Sequence, residues 1–248
     1  MTNDPSSASP SGRFPTTAWG FIQAVQDGRH AEDETAINQF VAAYWKPVFC
    51  FLRARGYPVA EAEDLTQEFF LRILQRDWLR TADPRRGRFR TFLLTLLVRF
   101  LSDQGPRRAP RQKRFERQIA SIEGLIGAAE RSYEPPAGQT PEAIFMRQWA
   151  AALVGQVLQR LRRSCAEDGR TIWYEVFAAL RLGASQDDPD SQHALAERFG
   201  VTRDQVRYAL KQAQERFVGL LRAEVRDQNG SEADVGEEIR ELMALLGD

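Results

Sequence analysis

Apolar residues return every three or four positions through most of this chain, which is the spacing of one buried face on an α-helix. The stretches "AINQFVAAYWKPVFCFLRARG" (36–56), "EDLTQEFFLRILQR" (63–76), "TFLLTLLVRFLSDQ" (91–104), "PEAIFMRQWAAALVGQVLQRLRR" (141–163) and "IWYEVFAALRLG" (172–183) all carry it. Strand-like alternation is nowhere sustained, so the pattern predicts an all-α protein.

Breakers divide the helical stretches. "GPRRAPRQKRFERQ" (105–118) opens with Gly105, Pro106 and Pro110, and "SYEPPAGQTPE" (132–142) carries three prolines, none of which can continue a helix. The expected architecture is two small helical domains joined by a flexible linker, the second containing a helix-turn-helix. A flexible lead-in with a short helix would occupy 1–30, the first domain 31–104, a basic, proline-containing linker 105–140 and the second domain 141–226. An acidic tail with a short amphipathic helix, "EEIRELMALL", would fill 227–248 and fold back on the second domain or mask basic surface. "ASQDDPDSQ" (184–192) reads as a loop.

Composition narrows the class. With 43% hydrophobic residues the chain can fill real cores. Its longest apolar run, "FRTFLLTLLVRFL" (89–101), contains Arg90 and Arg99 and falls short of the roughly 20 residues a membrane span needs. The Pro/Ser-rich start "MTNDPSSASPSGRF" has no apolar core of a signal peptide, so a cytoplasmic protein is expected. Cys50 and Cys165 lack any partner spacing and read as small buried or half-buried thiols; His30 and His193 lie in polar contexts and read as surface residues. No metal site and no cofactor is expected.

Net charge is zero, yet the charges are segregated. From Arg76 to Arg117 thirteen Lys/Arg face four acids, a net of +9, while from Glu224 onward eight acids face only Arg226 and Arg240, a net of −6. A partner responds to blocks of charge within a Debye length of about 8 to 10 Å.

A separate stretch is suited to DNA. In "LAERFGVTRDQVRYALKQ" (195–212), Ala196 is small where two helices approach, Gly200 can turn the chain, and Val206 faces inward. Leu195, Phe199, Val201 and Leu210 complete the interior. Thr202 and Gln205 have capping-box spacing. Arg203, Arg207, Tyr208 and Lys211 then point outward from the first turns of a helix that fits the major groove. An ordinary helical hairpin with a solvated basic face is the alternative. Upstream, Leu65, Phe69 and Ile73 mark an inner stripe, and Asp64, Gln67, Glu68, Leu71 and Gln75 mark the opposite one. Asp64 and Glu68 are like charges one turn apart that a basic partner would offset.

Taken in order, "AEDLTQEFFLRIL", the basic "DPRRGRFRTFLLTLLVRFLSDQ", a linker and a helix-turn-helix resemble the extracytoplasmic-function sigma factors of bacterial RNA polymerase. "FPTTAW", "TPEAIFMRQWA" and "LLRAEV" are similar to a longer-chained branch of that family, and the likeness runs from Phe14 to about Leu246. The resemblance implies that residues 31–104 correspond to sigma region 2 and 141–226 to region 4. It implies core-polymerase binding by Asp64, Gln67 and Glu68. It places Arg86, Arg88, Arg90, Arg99 and Asp103 near the −10 element, with Phe89, Phe92 and Phe100 interleaved either for flipped bases or, at helical spacing, as core. Arg203, Arg207, Tyr208 and Lys211 would read the −35 duplex. Arg99 stands where many relatives carry asparagine. The implied partners are core RNA polymerase, promoter DNA and an anti-sigma or other regulatory protein, with no membrane and no small-molecule substrate.

Two other readings are open. A free-standing helix-turn-helix repressor would footprint an operator without polymerase. A metal-dependent nuclease or recombinase would use Asp64 and Glu68 as ligands; no third carboxylate at suggestive spacing, HExxH or GxxxxGK[ST] accompanies them, so no enzyme is expected.

Overall fold

The computed structural model describes residues 22, 34–75, 78, 82–83, 87–103, 133–182, 189–229 and 235–247. Among these residues there are eight helices and no strand. In chain order they are α1 (Glu34–Ala54), α2 (Val59–Gln75), α3 (Phe89–Ser102), α4 (Pro141–Glu167), α5 (Thr171–Arg181), α6 (Pro189–Phe199), α7 (Arg203–Asn229) and α8 (Val235–Gly247).

Helix α1 is the centre of the molecule. Val48, Phe49, Cys50, Phe51 and Leu52 are consecutive and all fully buried. A helix that is apolar on every side must be covered on every side, and α2 and α4 both pack on α1, α4 forming the largest helix–helix interface in the structure. At its end Gly56, at φ 91°, reverses the chain, and the amide of Tyr57 donates to the carbonyl of Leu52 at 3.2 Å. Arg53 Nη1 adds a 2.7 Å bond to the carbonyl of Tyr57, which holds the turn into α2.

Aromatic side chains fill the space between α1, α2 and α3. Phe40 and Tyr44 meet Phe89 at centroid distances of 5.9 and 5.3 Å, Trp45 stacks on Phe70, and Phe69 meets Phe100 at 5.5 Å. Each such ring contributes roughly 1.5 to 3 kcal/mol on full burial. Phe89 and Phe100 are therefore core residues, and Phe92 is partly buried against Phe89. None of the three stands as an open platform for a base.

This first core does not end where the linker lies. It takes in Ile144, Phe145, Trp149, Leu153 and Val157 of α4, Leu221 and Val225 of α7, Val235 and Leu242 of α8, and Ile22. A second core forms among the far half of α4 (Leu161, Cys165), α5 (Trp173, Val176, Phe177, Leu180), α6 (Leu195, Ala196) and the near half of α7 (Val206, Ala209, Ala213). Helices α4 and α7, 27 residues each, thus run through both cores. Cys50 and Cys165 are buried thiols not joined in a disulfide, one in each core.

Helix starts follow their side chains. Thr140 caps α4 by accepting from the amide of Ala143 at 3.2 Å, and Pro141 takes the first helical position, where its missing N–H costs nothing. Two boundaries differ from the sequence expectation. The loop expected over 184–192 is helical from Pro189, again a proline in a first turn. Helix α7 runs on through Asn229, three residues past the expected boundary at 226, since no breaker precedes Gly230. Residues 105–132 of the expected linker and most of the lead-in lie outside the described residues.

Candidate nucleic-acid interface

The outward stripe of α2 carries Asp64, which is exposed, with Gln67 and Glu68 half-buried beside it. Ala62, Thr66, Phe69, Phe70 and Ile73 form the inward stripe, and Thr66 satisfies its buried hydroxyl on the carbonyl of Ala62 at 2.6 Å. Glu68 accepts from Arg72 Nη2 at 2.6 Å. The Arg72 guanidinium also lies 4.9 Å over the ring of Phe100. The basic partner that the Asp64/Glu68 repulsion called for is thus supplied in part by the next turn of the same helix. Among the described residues no three His, Cys, Asp or Glu are grouped to hold a metal ion.

Helix α3 presents Thr91, Thr95, Val98, Arg99 and Ser102 to solvent, with Asp103 just beyond its end. Thr95 and Ser102 turn their hydroxyls onto the carbonyls of Thr91 and Val98, leaving Arg99 as the basic group of this stripe. Arg86 lies outside the described residues.

Arg88 and Arg90 face elsewhere. Arg90 is 5% exposed and packs its guanidinium 4.3 Å over the ring of Trp149 from α4. It is ion-paired with Glu238, 2% exposed, and its Nη2 lies 3.3 Å from Glu241 Oε2. Arg88, at the N-cap of α3, grips Glu241 with both terminal nitrogens, the second at 3.1 Å. Its Nε sits 2.9 Å from Glu238 Oε2, an ionic contact without the alignment of a hydrogen bond. The bond from Arg88 holds the Glu241 carboxyl below the usual carboxylate range, and the same bond raises Arg88. Both glutamates belong to α8, which packs on α4 and α7. Arg90, expected at the −10 element, is therefore buried here, and Arg88 is largely covered.

The start of α7 is open by contrast. The amide of Thr202 donates to Gln205 Oε1 at 2.8 Å and the amide of Gln205 to Thr202 Oγ1 at 3.2 Å, the reciprocal capping box its spacing predicts. Gly200, at φ 64°, makes the turn from α6, a conformation that side chains with a Cβ rarely adopt. Arg203, Arg207, Tyr208 and Lys211 are all exposed on one side. Arg207 pairs with Asp204 of its own first turn, and Lys211 Nζ lies 3.9 Å from Glu215 Oε1. Tyr208, 57% exposed, meets Trp173 edge-on at 6.0 Å, and Arg170 stacks 4.3 Å over the same indole. Arg170 thereby joins this surface from the α4–α5 turn. No local spacing could have pointed to it.

Two faces thus flank the aromatic core of α1, α2 and α3: an acidic, partly paired one on α2 and a threonine- and arginine-bearing one on α3. Residues 40–109 match the Sigma-70 region 2 family. Region 2 is the part of a sigma factor that binds core RNA polymerase and melts promoter DNA in transcription initiation, and it is a binding module, not an enzyme. The match begins at Phe40 in α1 and includes all of α2 and α3. No curated protein and no solved structure matches the chain. No helix among the described residues is long and apolar enough to cross a membrane.

Proposed function

We propose that the whole chain is a sigma factor of the extracytoplasmic-function branch, longer-chained than most, which works in the cytoplasm as a subunit of RNA polymerase. Its region 2 occupies 31–104. The segment 141–226 serves as region 4, joined to it by the basic linker 105–140. Asp64, Gln67 and Glu68 dock on the core enzyme. Arg86, Arg88, Arg90, Arg99 and Asp103 serve the −10 element. Arg203, Arg207, Tyr208 and Lys211, with Arg170 beside them, read the −35 duplex through the helix–turn–helix of α6 and α7. An anti-sigma or other regulatory protein is a further partner.

The observation that carries this reading is the Sigma-70 region 2 match over residues 40–109. The exposed basic start of α7 supports it from the other end of the chain. A subunit delivered to DNA by polymerase needs only local basic stripes, which accounts for zero net charge in a promoter-binding protein. The test is reconstitution with bacterial core polymerase, followed by transcription and start-site mapping. The wild-type chain is expected to co-purify with core and to direct initiation. E68K, folded by circular dichroism, is expected to bind core at least tenfold more weakly. Core binding equal to wild type would remove the α2 face from the interface.

A further inference from the structure

The arginines at the start of α3 are held by acids from the opposite end of the chain. Glu241 meets Arg88 through two parallel donors, the geometry in which a guanidinium also takes a phosphate. Glu238 reaches both Arg88 and Arg90. The contact therefore joins the chain's most basic block, net +9, to its most acidic, net −6. Net stabilisation is a poor account of such an arrangement, because desolvating a buried ion pair offsets most of its attraction. The docking of α8 is also narrow. Val235 and Leu242 are buried apolar residues, Ile239, Leu245 and Leu246 are only partly so, and Met243 is exposed.

We propose that α8 is an internal substitute for the nucleic-acid backbone: Glu238 and Glu241 occupy Arg88 and Arg90, and these arginines take phosphates only when α8 leaves. This rests on the reading of α3 as a DNA-binding helix and adds to it a built-in competitor. The tether between α7 and α8 is short, residues 230–234, so the effective concentration of the tail is on the order of millimolar. Free chain then offers two fewer cations to stray nucleic acid, and an event that displaces α8 uncovers both at once. Removing the carboxylate charge takes away the anions with which α8 holds Arg88 and Arg90, which favours its release.

The experiment compares the full-length wild-type chain with E238Q/E241Q, which keeps the side-chain volumes. The probe is a fluorescein-labelled single-stranded DNA 12-mer of mixed sequence, titrated across a salt series with circular dichroism as the folding control. The double variant is expected to bind at least tenfold more tightly. Its salt dependence should steepen by about 1.4 in log–log slope, the value for two added phosphate contacts on single strands. R88Q/R90Q in the same background is expected to abolish both gains. Equal affinity and slope in folded wild type and double variant would overturn the proposal, as would a gain that survives R88Q/R90Q. Should E238Q/E241Q unfold, a protease site placed within 230–234 of the otherwise unchanged chain gives the same readout: cleavage and dilution should raise DNA affinity, and no rise overturns the proposal. Co-purification of the wild-type chain with core polymerase, scored in parallel, reads the sigma-factor assignment separately, since the α2 face takes no part in the clasp.

Discussion

Two helices of this protein begin with a pair of arginines, and the structure treats them in opposite ways. At the start of α3, Arg90 is 5% exposed and both arginines are tied to acids about 150 residues away in the sequence. At the start of α7, Arg207 is 65% exposed and paired only with Asp204, three residues before it. The first pair is long-range and, at Arg90, dry; the second is local and wet. An exposed pair is worth about 0 to 1 kcal/mol and exchanges freely for another anion, whereas breaking a buried one by removing a partner costs about 3 to 5 kcal/mol. Sequence proximity here goes with an arginine that can exchange its partner, and distance with one that is held.

The sharpest way to break this contrast is to delete one partner at each site. R90M leaves the buried Glu238 with only its contact to Arg88 Nε and is expected to lower stability by about 3 to 5 kcal/mol in urea unfolding, with E238L added on top recovering most of the loss. R207M is expected to change stability by less than about 1 kcal/mol. If the two substitutions cost the same, the two arginine sites do not differ as described.

The open site should show its effect in binding instead. R207A is expected to weaken a duplex that the side chain reads by about 1 to 3 kcal/mol, measured by titration against sequence variants. A uniform loss on every duplex would make Arg207 a phosphate contact. Smaller again is the cap that orients this helix: T202A should cost about 1 kcal/mol, read as a lower urea midpoint.

The smallest effect is on pH. Glu241 has its folded-state pKa depressed by the bond from Arg88, so its contribution is complete above the unfolded value, about 4.3, and fades as pH falls through the lower folded value. The protection factors of the α8 amides, corrected for intrinsic exchange, should fall over that acid range and be level above it. Glu241 is nearly half exposed, so solvent screening keeps the change modest. Protection that does not respond to acid would mean that Glu238 and the apolar contacts alone hold α8.

Much of the architecture was legible because its causes are local. Helical periodicity, the Thr202–Gln205 cap and the turn at Gly200 depend on residues within one or two turns of each other. Arg90 shows a signal that was present but overridden by residue type: it precedes Leu93 by three positions and Leu97 by seven, which puts it on the buried stripe of α3. Its charge suggested solvent, and only the Trp149 ring and the α8 carboxylates explain why burial is tolerated. The pairing of Glu68 with Arg72 was equally within reach, being an i, i+4 contact. The packing of α1 along α4 was not, because it joins segments on either side of the linker and no spacing rule carries across it.

That shared helix governs how the protein comes apart. Because α4 supplies side chains to both hydrophobic clusters, neither can melt without stripping the other of part of its wall. Heating should accordingly give one cooperative endotherm, and a gene truncated ahead of Pro141 should yield an aggregating polypeptide, since the apolar α1 would lose the helix it packs along.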